Sequence, residues 1–151
     1  RSVLLQDYPN IEYIIIDGGS TDESLKIIKK YEPWLTYWES KPDRGQSHAV
    51  NKGFARSTGE IMAWINSDDY YAPGAFKLIA ETFQNNQTEW VAGKCYIIGL
   101  DGSISPGKLA PKQNLENWLI KCQYTQPNVF WKRSLWEKSN KIDGEIYICE
   151  R

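Results

Sequence analysis

Apolar residues fall in short runs separated by turn signals, and the runs alternate between two spacings. Ile11 to Ile16 is mostly apolar and closes on Asp17, the pattern of a buried strand. Gly18-Gly19 interrupts it, and Ser20-Thr21-Asp22-Glu23 has the form of a capping box, with Ser20 as N-cap and Glu23 at N3. Behind it, Leu25, Ile27 and Ile28 mark the inner face of a helix that Pro33 ends. Leu35 to Glu39 alternates loosely and predicts a second strand. Lys41-Pro42-Asp43-Arg44-Gly45 is a loop. The spacing of Ala49, Val50, Gly53 and Phe54 then predicts a helix from Gln46 to Arg56, with Gly59 as its C-cap.

Ile61 to Ile65 is continuously apolar and predicts a central strand, running into Asn66-Ser67-Asp68-Asp69. Pro73 suits the first turn of a helix carrying Phe76, Ile79, Ala80 and Phe83. Beyond Asn85 the pattern loosens. It still predicts strand over Trp90 to Leu100, a turn at Asp101-Gly102, a short strand from Asn128 to Trp131 and a short helix from Ser134 to Lys138. Arg1 to Gln6 reads as the last turns of a helix. The strand–helix alternation predicts an α/β fold, a Rossmann-like, mostly parallel sheet flanked by helices.

Length and composition narrow the function. The 151 residues suit one domain, and 41% hydrophobic with 25% charged residues excludes a disordered or fibrous chain. Lys and Arg number 18 against 19 acids, a net charge of -1, which argues against a partner made of nucleic acid. No apolar run approaches the roughly 20 residues that cross a bilayer. Cys95, Cys122 and Cys149 form no CxxC pair, and His48 is the single histidine, so a Cys/His zinc site is not supported. The cysteines are expected to be free, buried thiols in a reducing cytoplasm. Both ends read as cut, since the sequence opens at Arg1 and stops inside the patterned stretch Ile146 to Arg151.

Chemistry concentrates where strands are expected to end. In open α/β sheets ligands bind beyond the carboxyl ends of the strands. The first strand ends in Asp17-Gly18-Gly19-Ser20 and the third runs into Asp68-Asp69. Paired carboxylates are hard oxygen ligands suited to Mg²⁺ or Mn²⁺ on a substrate diphosphate. Two plainer readings stand beside this one. Acids before a helix complement its dipole as caps, and Asp17 alone suits a turn that bonds its own backbone.

Five segments in order, Gln6 to Glu12, Ile14 to Asp22, Arg44 to Gly53 with Thr58-Gly59-Glu60, Asn66 to Asp69 and Gln126 to Ser134, resemble the inverting glycosyltransferases of family 2. The resemblance covers most of the chain and implies a GT-A fold that binds a nucleotide diphospho-sugar donor. It implies that Ser67-Asp68-Asp69 is the DXD-type motif, with Asp69 ligating the divalent metal (Mn²⁺ or Mg²⁺) and Asp68 near the ribose or the metal's water shell. The acidic pair that helps hold the base falls on Asp17-Gly18, so its second acid is absent here. Arg44 is the candidate basic contact to the donor. Gln126 and Trp131 fall where relatives bind acceptor, a glycan or lipid-linked hydroxyl, although core packing is the plain reading of Trp131.

The same resemblance implies a single displacement driven by a carboxylate base. That base is expected beyond Arg151, so no catalytic residue is assigned, neither Asp143 nor Glu150. The first strand of the fold is expected before Arg1. The chain is thus read as one glycosyltransferase domain fragment, 1–151, lacking both pieces and possessing a nucleotide site open on one side. The expected setting is polysaccharide assembly in the cytoplasm, at the inner face of the membrane if the flanks supply an anchor. Two other functions fit the pattern: a non-catalytic module that binds sugar nucleotide or oligosaccharide, and nucleotidyl transfer to a sugar phosphate. His48 is read as a packing or surface residue.

Overall fold

A computed structural model describes residues 1–84, 87–107 and 126–138. Three β-branched residues in a row start β1 (Ile14–Asp17), which pairs in parallel with β2 (Tyr37–Ser40) so that Asp17 stands opposite Ser40. The crossover between them is α1 (Ser24–Tyr31), followed by a 3₁₀ turn at Glu32–Trp34 where Pro33 ends the helix. Next comes α2 (Gln46–Arg56), with the bounds that the sequence predicts. It crosses close to β1 at Gly53, where an added β-carbon would sit 3.6 Å from Ile16 Cγ1. It also reaches β2, where Lys52 pairs with Glu39 and the Arg56 guanidinium lies 3.9 Å over the Tyr37 ring.

A second sheet holds β3 (Ile61–Met62), β7 (Val129–Lys132) and β4 (Trp90–Ala92) in the order β3-β7-β4, with β7 antiparallel to both neighbours. A hairpin of β5 (Tyr96–Ile98) and β6 (Ile104–Pro106) stands apart, its apolar side chains exposed, turning at Asp101 and at Gly102 with φ +80°. The helices α3 (Ala75–Phe83) and α4 (Arg133–Lys138) complete the described residues. Among the described residues the buried apolar ones are Val3, Ile28, Phe54, Met62, Phe83 and Phe130. Aromatic rings join them: Phe54 meets Trp131 and Trp136 edge-on, and Tyr71, Phe76 and Phe130 form a second cluster.

The free edges of β1 and β3 border one cavity of about 1300 Å³, lined by Ile14–Ile16, the segment from Ile61 to Ile65 and the inner face of α2. Among the described residues each of these strands has one paired neighbour. This explains two departures from expectation. β1 is half-buried rather than buried, and only Ile61 and Met62 of the apolar run are in a ladder.

Further departures are local. Ser20 does not cap α1: its hydroxyl bonds Asp17, the helix starts at Ser24, and Asp22 Oδ1 accepts the Ser24 N–H at 2.9 Å. Ile27 is 58% exposed, while Ile28 carries the contact with the core. Ser57, not Gly59, ends α2 by donating its N–H to Gly53 and Phe54 carbonyls. The expected strand over Trp90 to Leu100 divides into β4 and β5 around Gly93-Lys94-Cys95. Cys95 is a free thiol and only half-buried; Cys122 and Cys149 lie outside the described residues, as do Asp143 and Glu150. At the start of the chain, Leu4–Gln6 forms a short 3₁₀ helix.

Candidate functional site

Three loops meet beyond the carboxyl ends of β1, β2 and β3. The first is knitted around Asp17. One carboxylate oxygen accepts the N–H groups of Gly19 (3.1 Å) and Ser20 (2.9 Å) and the Ser40 hydroxyl (2.6 Å); the other accepts the Ser20 hydroxyl. Burial opposes ionisation of this carboxyl, but the Ser20 and Ser40 hydroxyls and the two N–H groups outweigh it and hold the pKa at about 2. Gly19, at φ +93° and with Pro42 N 3.2 Å from a would-be β-carbon, accepts no larger residue easily. Asp17 thus builds the loop, the turn reading of the sequence, and all four of its bonds are internal.

The second loop, Lys41 to Gly45, turns at Gly45 (φ +99°), whose carbonyl accepts the His48 and Ala49 N–H groups to start α2. The Asp43 carboxylate accepts the Gly45 N–H at 2.8 Å. Arg44 is exposed, and its N–H donates to His48 Nδ1 at 3.2 Å, so His48 serves this turn.

The third loop carries the acids. Ser67 and Asp68 form a turn, Asp69 N donates to Asn66 O, and α3 begins only at Ala75 after a Pro73-Gly74 turn. Asp68 and Asp69 therefore do not cap α3, whose N-cap is Gly74 with no side-chain bond, and Pro73 precedes the helix instead of sitting in its first turn. Asp69 is half-buried and lines the cavity together with Asp17, Gly18 and Asn66, whereas Asp68 is exposed. The Tyr71 hydroxyl pKa is raised, first by burial and then by the nearby charge of Asp69. Gln46 Nε2 donates to Asn66 Oδ1 at 2.7 Å and ties the first residue of α2 to the third loop.

Other predicted site residues fall elsewhere. Trp131 sits in β7 with its ring 5.5 Å from Phe54, in the packing between the second sheet and α2. Gln126 opens a 3₁₀ turn at Gln126–Asn128 just before β7.

Periodicity did not reveal two positioning residues. Gln6 is 6% exposed; its amide donates to Ser2 O and Ala72 O, and its oxygen accepts the Phe76 N–H at 3.2 Å, capping α3 from outside. Glu12 accepts the Thr58 hydroxyl, the Thr58 N–H and the Gly59 N–H, which lowers its pKa, and Arg133 adds a favourable charge. Both are polar residues bonded to partners dozens of positions away, a pattern that local sequence does not encode.

No group of three metal-ligating side chains occurs among the described residues. A half-buried carboxylate such as Asp69 on a cavity still fits one class of cation. Mg²⁺ and Mn²⁺ keep several waters and take one or two carboxylates plus substrate phosphates, rather than a full protein cage.

The fold is that of the GT-A glycosyltransferases. The chain matches Staphylococcus aureus TarS residues 1-349 in complex with UDP at a TM-score of 0.73 and 19% identity, covering 98% of this chain and 46% of that one. It matches the same protein in complex with UDP-GlcNAc at 0.70 and 23% identity, covering 92% and 42%. In sequence it is 37% identical over 114 residues to an uncharacterised glycosyltransferase of Nostoc sp., covering 69% of this chain and 34% of that protein. It is 33% identical over 111 residues to one of Mycobacterium tuberculosis, covering 70% and 42%. Residues 1–140 match Glycosyl transferase family 2, and the chain belongs to that family. It spans well under half the length of these relatives. Among the described residues no helix is long and apolar enough to cross a membrane.

Proposed function

We propose that the whole protein transfers a sugar, with inversion, from a nucleoside diphosphate donor to a hydroxyl of a glycan or lipid-linked acceptor. The observation that carries the reading is Asp69, an acid beyond β3 that caps no helix and opens into the cavity beside Asn66 and Gly18. Support also comes from family membership and from the likeness to a protein solved with UDP and with UDP-GlcNAc. In this reading Asp69 holds Mg²⁺ or Mn²⁺ together with the donor phosphates, and Asp68 faces solvent and the water shell. When bound, the cation neutralises charge on the departing diphosphate. Asp17 shapes the loop under the nucleoside, and Arg44 reaches the donor from the second loop.

The carboxylate base belongs to a segment after Arg151, and a further strand of the whole protein fills the cavity between β1 and β3. The apolar lining and the two free strand edges favour such a strand. The acceptor contacts of Gln126 and Trp131, and polysaccharide assembly at the cytoplasmic face of a membrane, belong to the same proposal. The test is transfer by the whole protein from a panel of UDP-, GDP- and dTDP-sugars with Mn²⁺, the product anomer being read by NMR. Transfer with inversion, lost in Asp69→Ala, supports the reading. Retention of configuration, or full activity in Asp69→Ala, overturns it.

A further inference from the structure

We propose that Gln6, from the short 3₁₀ helix before β1, is a positioning residue for the cation: its buried amide sets where the Asp69 carboxylate stands. The inference rests on the donor reading above and deepens it. Asp69 lies midway along a loop that is tied on both sides. Before it, Asn66 Oδ1 accepts from Gln46 Nε2 at 2.7 Å. After it, Ala72 O accepts from Gln6 Nε2 at 3.0 Å, and the same amide donates to Ser2 O at 3.1 Å. The Tyr71 N–H donates to Ser2 Oγ at 3.2 Å, and the Phe76 N–H to Gln6 Oε1 at 3.2 Å. Ser2 and Gln6 thus grip the second half of the loop. All of these bonds go to the backbone or to Asn66, so the Asp69 carboxylate is placed by the loop and left to line the cavity.

The chemistry of position 6 points beyond packing. Gln6 is the one buried polar residue among the described residues, at 6% exposed. A buried amide stabilises less than an apolar side chain of similar volume, because its bonds replace those it made to water. What it adds is direction. Hydrogen bonds of 3.0–3.2 Å fix the loop at one place along the chain's first turn, whereas apolar contact is non-directional. The backbone is bent where it presents this side chain. Asp7, the next residue, has φ +50°, and it is the one described non-glycine residue in left-handed backbone. Asp69 depends on such placement, because among the described residues no three metal-ligating side chains come together to cage an ion. One carboxylate then decides where the cation sits, with water and phosphate as its other ligands. Groups that orient a metal ligand from behind are worth about 10–100-fold in metal affinity.

The test is a Mn²⁺ titration of the whole protein at fixed UDP, with free Mn²⁺ read by electron paramagnetic resonance, beside UDP calorimetry in EDTA. Both are run well below the melting temperature of every variant. Gln6→Met, which keeps the volume and loses the amide, is expected to weaken Mn²⁺ about 10-fold and to leave UDP affinity in EDTA unchanged. Phe83→Leu is the control for lost stability, since Phe83 is buried in the last turn of α3, at the end away from the loop. It is expected to lower Tm and to leave both affinities as in wild type. If Gln6→Met does not fold, Ser2→Ala carries the test, with an expected loss of about 2-fold in Mn²⁺ affinity for its one bond. Unchanged Mn²⁺ affinity in the variant tested overturns the assignment and leaves the donor reading intact. So does an equal loss in Phe83→Leu, the mark of general softening, or an equal loss of UDP in EDTA. Wild type that binds UDP no better with Mn²⁺ overturns the donor reading and this inference together.

Discussion

Replacing Gln6 with alanine removes a buried amide that holds the first turn of the chain to the segment beyond Asp69. Three hydrogen bonds disappear: two to the carbonyls of Ser2 and Ala72, and one from the Phe76 N–H. At about 1 kcal/mol net for each, with no water replacing them at a site 6% exposed, the expected loss is about 3 kcal/mol. For a chain of this size that lowers Tm by roughly 6–12 °C. Urea unfolding followed by tryptophan fluorescence measures it, with an unchanged m-value showing that the unfolded state is not the cause. Gln6→Glu keeps the acceptor for Phe76 but loses the donor and buries a charge, so it is expected to be at least as damaging. A loss below about 0.5 kcal/mol in Gln6→Ala refutes the claim that this side chain anchors the loop.

The Asp17 carboxyl ionises at about 2 in the folded protein against an ordinary 3.8, so its contribution is complete above pH 4 and disappears as pH falls through 2. Unscreened, this is worth roughly 2.5 kcal/mol, and solvent at this half-buried group reduces it to about 1 kcal/mol. Urea midpoints between pH 5 and 2 should therefore fall less steeply in Asp17→Asn than in wild type. Glu12→Gln should cost about 1–2 kcal/mol, because its new amide faces the Thr58 and Gly59 donors; an unchanged midpoint contradicts the clasp. Gly53→Ala should stabilise by about 0.5–1 kcal/mol, since its β-carbon meets Ile16 at ordinary contact distance, whereas Gly19→Ala should destabilise by about 1–2 kcal/mol through its left-handed backbone. Thermal melts of the two variants shifting in the same direction would show that one of these glycines is misread.

What the sequence made legible was local. The 3.6-residue spacing of Ala49, Val50, Gly53 and Phe54 located α2 to the residue, because that helix buries one face against β1. The positions of β1 and β7 followed from apolar runs bounded by turn residues, and that of β2 from a loose alternation over Leu35 to Glu39 that the strand overlaps at Tyr37–Glu39. The acids at strand ends were visible for the same reason, since a strand that stops at a carboxylate marks where backbone gives way to chemistry. Competition between partners was not visible. Ser20 had two possible partners, the α1 N–H groups that its oxygen could accept and the Asp17 carboxylate to which its hydroxyl could donate, and the carboxylate won. Whether Asp68 and Asp69 cap α3 depended on where that helix starts, which Gly74 decides. Asp43 looked like an ordinary loop residue, because its closeness to Gly18 follows from the parallel pairing of β1 with β2, which local sequence does not show.

The central claim is that Asp69 and a divalent cation together receive the donor's diphosphate, and the most direct measurement is UDP affinity of the whole protein with Mn²⁺ and with EDTA. Wild type is predicted to bind at least about 100-fold tighter with Mn²⁺, and Asp69→Ala to bind weakly and equally in both conditions. UDP binding that is indifferent to Mn²⁺ in wild type, or a full Mn²⁺ effect surviving in Asp69→Ala, would contradict the account.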